Sequence, residues 1–267
     1  MKLVTFGCSF IQGDELTPDT PEYVNTHNIG GVINSSYKFE DYINYGNNGA
    51  SNERIVLQIM EYLNSEYYDE NDFILVGLSG LTRNLKYMNI GKYPFTIPHW
   101  SYNDHVRNTK HLMSNESDSK DYMNLVLKYE VNERNQIVQY LLNCLSIKSL
   151  LNPFKKYLVF QSIDTPVKLY RDIKYDKGWK EINLHHTTLD KKESVESKLF
   201  FDREFIEPLV RNGLGPKQSW INFSNMTYQM FVDAKKEYKM EGGHPSELGS
   251  LMYFEKYLKK YVDRIVL

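Results

Sequence analysis

An α/β fold built on a parallel central sheet is what the sequence predicts, and three stretches carry that prediction. "KLVTFGCS" near the start, "DFILVGLSG" from Asp72 to Gly80 and "KKYLVFQSID" from Lys155 are short apolar runs that end in small residues. Continuous rather than alternating apolar character is what a strand covered on both faces requires. Helical patterns stand between them, and strand, helix, strand, helix, strand in this order implies right-handed crossovers and parallel pairing.

After the first strand, residues 10–39 contain Pro18, Pro21, Gly30 and Gly31 with no sustained period, and read as a long loop or a poorly formed helix plus loop. "DYINYGNNGASNERIVLQIMEYLNSEY" then gives a short strand, a Gly/Asn turn and a helix. Ser51 can cap that helix, and Ile55, Val56, Ile59, Met60 and Leu63 recur on one face. From Leu85 to about Glu130 the chain is rich in Tyr, Asn, His and Pro and reads as an irregular excursion. "NERNQIVQYLLNCLSIKSLLN" resumes a helix, with Ile137, Leu141, Leu142 and Leu145 as its apolar face. Thr165 to Lys239 mixes charged and aromatic runs, and only a short strand or helix near Trp220 is expected there. The end, "SELGSLMYFEKYLKKYVDRIVL", is an amphipathic helix with Leu248, Met252, Phe254, Tyr257, Leu258 and Val262 turned to the core.

A length of 267 residues permits one large domain or two. The longest polar stretch, "SNESDSKD" from Ser114 to Asp121, falls between strand signals and reads as a loop, so one domain over 1–267 is expected, with irregular insertions at about 86–130 and 165–235. The formal net charge of −2 and the lack of a long Lys/Arg block argue against a nucleic-acid partner. The two cysteines, Cys8 and Cys144, are too few for a disulfide scaffold and fit a reducing compartment. "MKLVTFGCSF" has too brief an apolar run for the core of a signal peptide, and no stretch approaches a membrane span, so a cytoplasmic protein without a membrane partner is expected. The 21 tyrosines suit stacking on sugars or bases and equally suit half-buried positions in a loop-rich domain.

Ser9 stands where the first strand ends, at the sheet edge where open α/β folds hold their ligands. Before the last helix comes "EGGHPSELG", in which Pro245 disfavours helical geometry at His244 and so places that histidine on a constrained loop. Glu241, three residues earlier, is able to fold back, accept a hydrogen bond from the imidazole N–H and fix its tautomer. A hydrolytic mechanism needs a nucleophile, a base, a group orienting the base and donors for an oxyanion. Ser9, His244, Glu241 and the glycine-rich turns at Gly46 to Gly49 and Gly77 to Gly80 are such parts. Cys8 points away from its neighbour Ser9 and reads as a small buried residue. His185 and His186 diverge as chain neighbours, and with no supporting ligand spacing no metal or other cofactor is expected.

In that order the parts resemble the SGNH hydrolases, or GDSL esterases, whose members carry Gly-Asp-Ser early, a Gly in a second block, Gly-x-Asn-Asp in a third and Asp-x-x-His near the carboxyl terminus. "GCSFIQG" is similar to the first block with Cys8 in place of Asp, "NYGNNGASNERI" to the second, and "EGGH" to the fourth with Glu241 in place of Asp. "VGLSGLTRN" keeps the glycine of the third block but puts Ser79 and Gly80 where the family has Asn-Asp. The resemblance spans roughly residues 1–85 and 240–267 and is nearest to phage and bacterial members that open with Gly-Cys-Ser-Phe.

The resemblance implies a three-layer flavodoxin-like sandwich and a serine esterase working through an acyl-enzyme. Ser9 would be the nucleophile and an oxyanion donor, Gly49 the second donor, His244 the base and Glu241 its orienting acid. Loss of one oxyanion donor costs about 10²–10³ in turnover, and Asn48, Asn52, Ser79 or Arg83 would take the place of the missing Asn. Arg83 and Asn48 are also expected to contact substrate. The implied substrate is a small-molecule or glycan ester, O-acetylated carbohydrate first. Acyl transfer by the same residues, and a non-catalytic binding protein on the same fold, are the alternatives.

Overall fold

The computed structural model describes residues 1–80, 83–86, 95–98, 133–163, 182–184, 197–199 and 227–267. Strands β1 (Leu3–Phe6), β2 (Tyr42–Asn44), β3 (Phe73–Leu78) and β6 (Lys156–Gln161) form one parallel sheet in the order β2-β1-β3-β6. Leu3 pairs with Tyr42 on one side and Phe73 on the other, and Phe73 lies opposite Lys156. Two antiparallel pairs, β4 (Arg83–Lys86) with β5 (Phe95–Pro98) and β7 (Ile182–Leu184) with β8 (Ser197–Leu199), occur where irregular chain was expected. Residues 227–235, also expected to be irregular, carry a helix at Tyr228–Asp233, and the rest of the expected insertions, Trp220 included, lies outside the described residues.

Alternation along the strands builds the layers. Val4, Phe6, Ile74, Val76 and Val159 face α4 (Asn52–Leu63) and α5 (Glu133–Leu150), whose Ile55, Ile59, Leu141, Cys144 and Ile147 complete that core. Leu3, Phe73, Leu75, Leu158 and Phe160 face the other way, onto α3 (Ile29–Tyr37), α6 (Tyr228–Asp233), α7 (Glu247–Tyr253) and α8 (Lys259–Val266). The result is the expected α/β sandwich of three layers, with the sheet in the middle. Each fully buried Val, Ile or Phe contributes about 1.5–3 kcal/mol, so a continuous apolar strand is stable only with helices on both faces.

Several elements differ from expectation. Residues 10–39 hold α1 (Ser9–Gln12), α2 (Pro21–His27) and α3, three helices where a long loop or a poorly formed helix plus loop was expected. Thr20 caps α2 ahead of Pro21 at its first position, and Asn28 caps α3 by accepting from the Gly31 N–H at 2.7 Å. Gly30 is no helix breaker here: a Cβ there would stand 2.2 Å from the Tyr42 hydroxyl, so packing against that ring demands the bare backbone. On α5 the buried face runs through Tyr140, Leu141, Cys144 and Ile147, whereas Leu142 is exposed. The last helix is interrupted by a π-helical turn at Phe254–Leu258; Tyr253, Phe254 and Leu258 are buried, and Leu248, expected in the core, is exposed. No helix among the described residues is long and apolar enough to cross a membrane.

Candidate active site

From β1 the chain crosses through α3 to β2, then returns through α4 on the opposite face to β3 on the other side of β1. Right-handed crossovers in opposite directions make the chain diverge beyond the carboxyl ends of β1 and β3, the place where open sheets form a crevice. Ser9 follows β1 and Ser79 follows β3 at that edge. Gly7 and Gly77 shape it, because Cβ atoms there would stand 2.2 Å and 2.4 Å from the Ile11 side chain. Two bare backbones therefore seat Ile11, and with it α1, directly on the strand ends.

Ser9 is the first residue of α1, where an N–H has no intrahelical acceptor. Its carbonyl accepts from the N–H groups of Gly13, at 3.0 Å, and Asp14, at 3.1 Å. Gly13 ends the turn in the left-handed region at φ 90°, and Asp14 and Glu15 follow at once. The stretch "GCSFIQGDEL" thus folds into a single helical turn followed directly by two carboxylates.

Side-chain amides hold the strand ends. Gln58 accepts from the Gly7 N–H at 3.2 Å and donates to the Gly7 carbonyl at 3.4 Å. Asn52 does the same for Ser79, at 2.8 Å and 3.0 Å. Gln161 Nε2 adds a bond to the Ser79 carbonyl at 3.2 Å, and the Tyr140 hydroxyl donates to Gln161 Oε1 at 2.5 Å. Gln58 and Gln161 were not foreseen, although a glutamine between Ile55 and Ile59 on an apolar helix face was a readable signal. Asn52 is therefore committed to fixing the Ser79 peptide.

Ser9 is 1% exposed, and its Oγ has no hydrogen-bond partner among the described residues, His244 included. Ser79 Oγ is likewise buried without a partner. Gly49 has φ 70°, with open space where a Cβ would stand, so its left-handed backbone and not crowding calls for glycine. Asn48 beside it is exposed. Arg83 opens β4, and its side chain lies outside the described residues. Cys8 is fully buried, as expected, with Sγ 3.7 Å from Ser162 Oγ.

His244 stands on a tight loop closed by the Met240 N–H donating to the His244 carbonyl at 2.7 Å and by the bridge between Lys239 and Pro245. Its ring lies against Phe10, the residue after Ser9, with centroids 5.4 Å apart and planes at 54°. Nδ1 is 3.2 Å from Glu15 Oε1, and Nε2 is 3.7 Å from Asp14 Oδ2. The Nδ1 contact has the length of a hydrogen bond but not its alignment, so Nδ1 has a close carboxylate and no well-directed acceptor. Glu241, expected to orient this ring, is exposed and pairs with neither nitrogen among the described contacts. Closure of the loop between Met240 and His244 leaves Glu241 on its outer turn, and carboxylates from the chain's opposite end face the ring instead.

Among the described residues no three His, Cys, Asp or Glu side chains are grouped to hold a metal ion, and His185 and His186 lie outside those residues. A buried hydroxyl, an imidazole beside its neighbour and the Ser9 N–H at the start of a helical turn make up the chemistry of the crevice.

No family model and no curated protein matches the chain. Solved structures similar to it include a member of the lipolytic protein G-D-S-L family from Veillonella parvula DSM 2008, with TM-score 0.43, 13% identity and coverage of 97% of this chain and 99% of that one. TesA is similar at TM-score 0.46 and 11% identity over 98% of this chain and 99% of its own. The lipase Lip_vut3 from a goat rumen metagenome is similar at 0.44 and 13%, over 98% of this chain and 97% of its own.

Proposed function

We propose that the protein is a serine hydrolase acting on carboxylic esters, with Ser9 as nucleophile and His244 as base. The observation that carries this reading is the Ser9 hydroxyl itself, buried and without a partner among the described residues at the switch point of a parallel sheet, one residue from the ring that packs on His244. Leaving a buried hydroxyl unpaired costs stability, and such a group calls for an explanation that a reacting atom would supply. The motif order "GCSFIQG", "NYGNNGASNERI" and "EGGH" supports it independently.

In the proposed reaction Ser9 Oγ attacks the ester carbonyl carbon as its proton passes to His244 Nε2. The carbonyl oxygen becomes an oxyanion held by the N–H groups of Ser9 and Gly49, and the Ser79 hydroxyl takes the place of the family's asparagine as a further donor. Collapse expels the alcohol, which takes the proton back from His244. Water, deprotonated by His244, then releases the acid and restores Ser9. O-acylated carbohydrate remains the proposed substrate class, by analogy with the family.

Hydrolysis of p-nitrophenyl acetate tests the reading, beside Ser9→Ala and His244→Ala and with fluorophosphonate labelling followed by intact mass. Activity and a single adduct in the wild type, both lost in Ser9→Ala, are expected. If the wild type neither hydrolyses the ester nor takes the label, the fold is a binding protein that kept its motif without its reaction.

A further inference from the structure

We infer that Glu15 is the positioning residue for His244, so that the acid of the catalytic group comes from the first loop of the chain and not from the loop that carries the histidine. The inference rests on the proposed roles of Ser9 and His244.

Three independent observations meet at this carboxylate. Its Oε1 lies 3.2 Å from His244 Nδ1, whereas Glu241 is exposed away from the ring. Its Oε2 accepts from the Gly242 N–H at 3.1 Å, so the same group ties down the histidine loop. A Cβ on Gly242 would stand 1.6 Å from Glu15 Oε1. The Glu15 carboxylate thus lies in the space a Gly242 side chain would take, and a Cβ there would displace it.

The backbone adds a fourth line. Glu15 has φ 69°, in the left-handed region that favours glycine or asparagine. A glutamate held there against its backbone preference points to a role for its side chain. The turn seen in "GCSFIQGDEL" delivers it, since Asp14 N–H bonds back to the Ser9 carbonyl and sends the next residue across to the "EGGH" loop.

Chemically, a carboxylate at Nδ1 makes Nδ1 the protonated nitrogen and leaves the lone pair of Nε2 to receive the Ser9 proton. The imidazolium formed then has Glu15 at one nitrogen and Asp14, 3.7 Å away, near the other. Catalytic hydrogen bonds are often poorly aligned without substrate and tighten on binding, which accounts for the close but misdirected Nδ1 contact.

The test is side-chain ¹⁵N NMR of His244 in the full chain at neutral pH, run beside p-nitrophenyl acetate hydrolysis. In the wild type the proton of the neutral ring is expected on Nδ1. Glu15→Ala is expected to move the tautomer balance toward Nε2 and to slow hydrolysis by roughly 10³- to 10⁴-fold. Gly242→Ala, which evicts the carboxylate without altering it, is expected to give the same tautomer shift, and Glu241→Ala to change neither readout. An unchanged His244 tautomer in both Glu15→Ala and Gly242→Ala, or a shift in Glu241→Ala, overturns the inference. If the tautomer moves as expected in a protein that hydrolyses no ester, Glu15 still positions the ring and the esterase reading alone fails.

Discussion

The Asn52 side-chain amide closes on the Ser79 peptide, accepting from its N–H at 2.8 Å and donating to its carbonyl at 3.0 Å. Both residues are buried, so the pair fixes the end of β3 and sets where the Ser79 hydroxyl stands. Asn52→Ala would leave a buried N–H without its acceptor. A loss of about 1–3 kcal/mol in unfolding free energy is expected, measured by urea denaturation, together with a fall in ester hydrolysis. An unchanged urea midpoint would show that the Ser79 peptide has another support.

Ser9→Ala removes a buried hydroxyl that has no partner among the described residues. Loss of catalysis is therefore expected without loss of stability, and a gain of up to about 1 kcal/mol is expected in the urea midpoint analysis. Destabilisation by more than that amount would mean that the hydroxyl holds the crevice together and is not reserved for reaction.

Lys38 ends α3 in the left-handed region, at φ 54°, and is exposed. Glycine takes that conformation without the clash a Cβ brings, so Lys38→Gly is expected to stabilise the protein by about 1 kcal/mol. Lys38→Ala keeps the Cβ and should give no such gain. Thermal unfolding of the two variants side by side decides the matter.

Acid stability is linked to Asp263. The Tyr37 hydroxyl donates to its carboxylate, and this bond, followed by Lys259, holds the Asp263 carboxyl below its ordinary value. A group whose folded-state value is lowered contributes stability that is fully present above the ordinary carboxylate range and is lost as pH falls through the folded-state value. Tyr37→Phe should therefore lower stability at neutral pH and shrink the difference from wild type below about pH 4. Urea midpoints measured across that range test this, and a gap that stays constant with pH would refute the linkage.

Local signals made much of the frame legible. The apolar runs became β1, β3 and β6, Ser51 caps α4 by accepting from the Arg54 N–H, and the order of elements led to a parallel sheet with Ser9 at a strand end. Each depends on neighbours within a few positions or on chain order, which is the information a single sequence displays. Residues 21–37 were harder, because Gly30 reads as a breaker until Tyr42 is seen packed on it. On α5 Leu142 is exposed and Cys144 is fully buried in the core shared with Ile74, Val76 and Val159, an orientation that helical spacing alone does not fix.

By itself the sequence determined the α/β class, the strand that delivers Ser9 and the constrained loop that carries His244, since chain order and local stereochemistry decide these. Only the tertiary structure decided which acid meets the imidazole. Spacing within "EGGH" points to Glu241, but the loop closes on itself, and Gly242 admits Glu15 from the other end of the chain. A contact between chain ends depends on how the first helical turn and the last loop converge over one crevice, and no local pattern records that convergence.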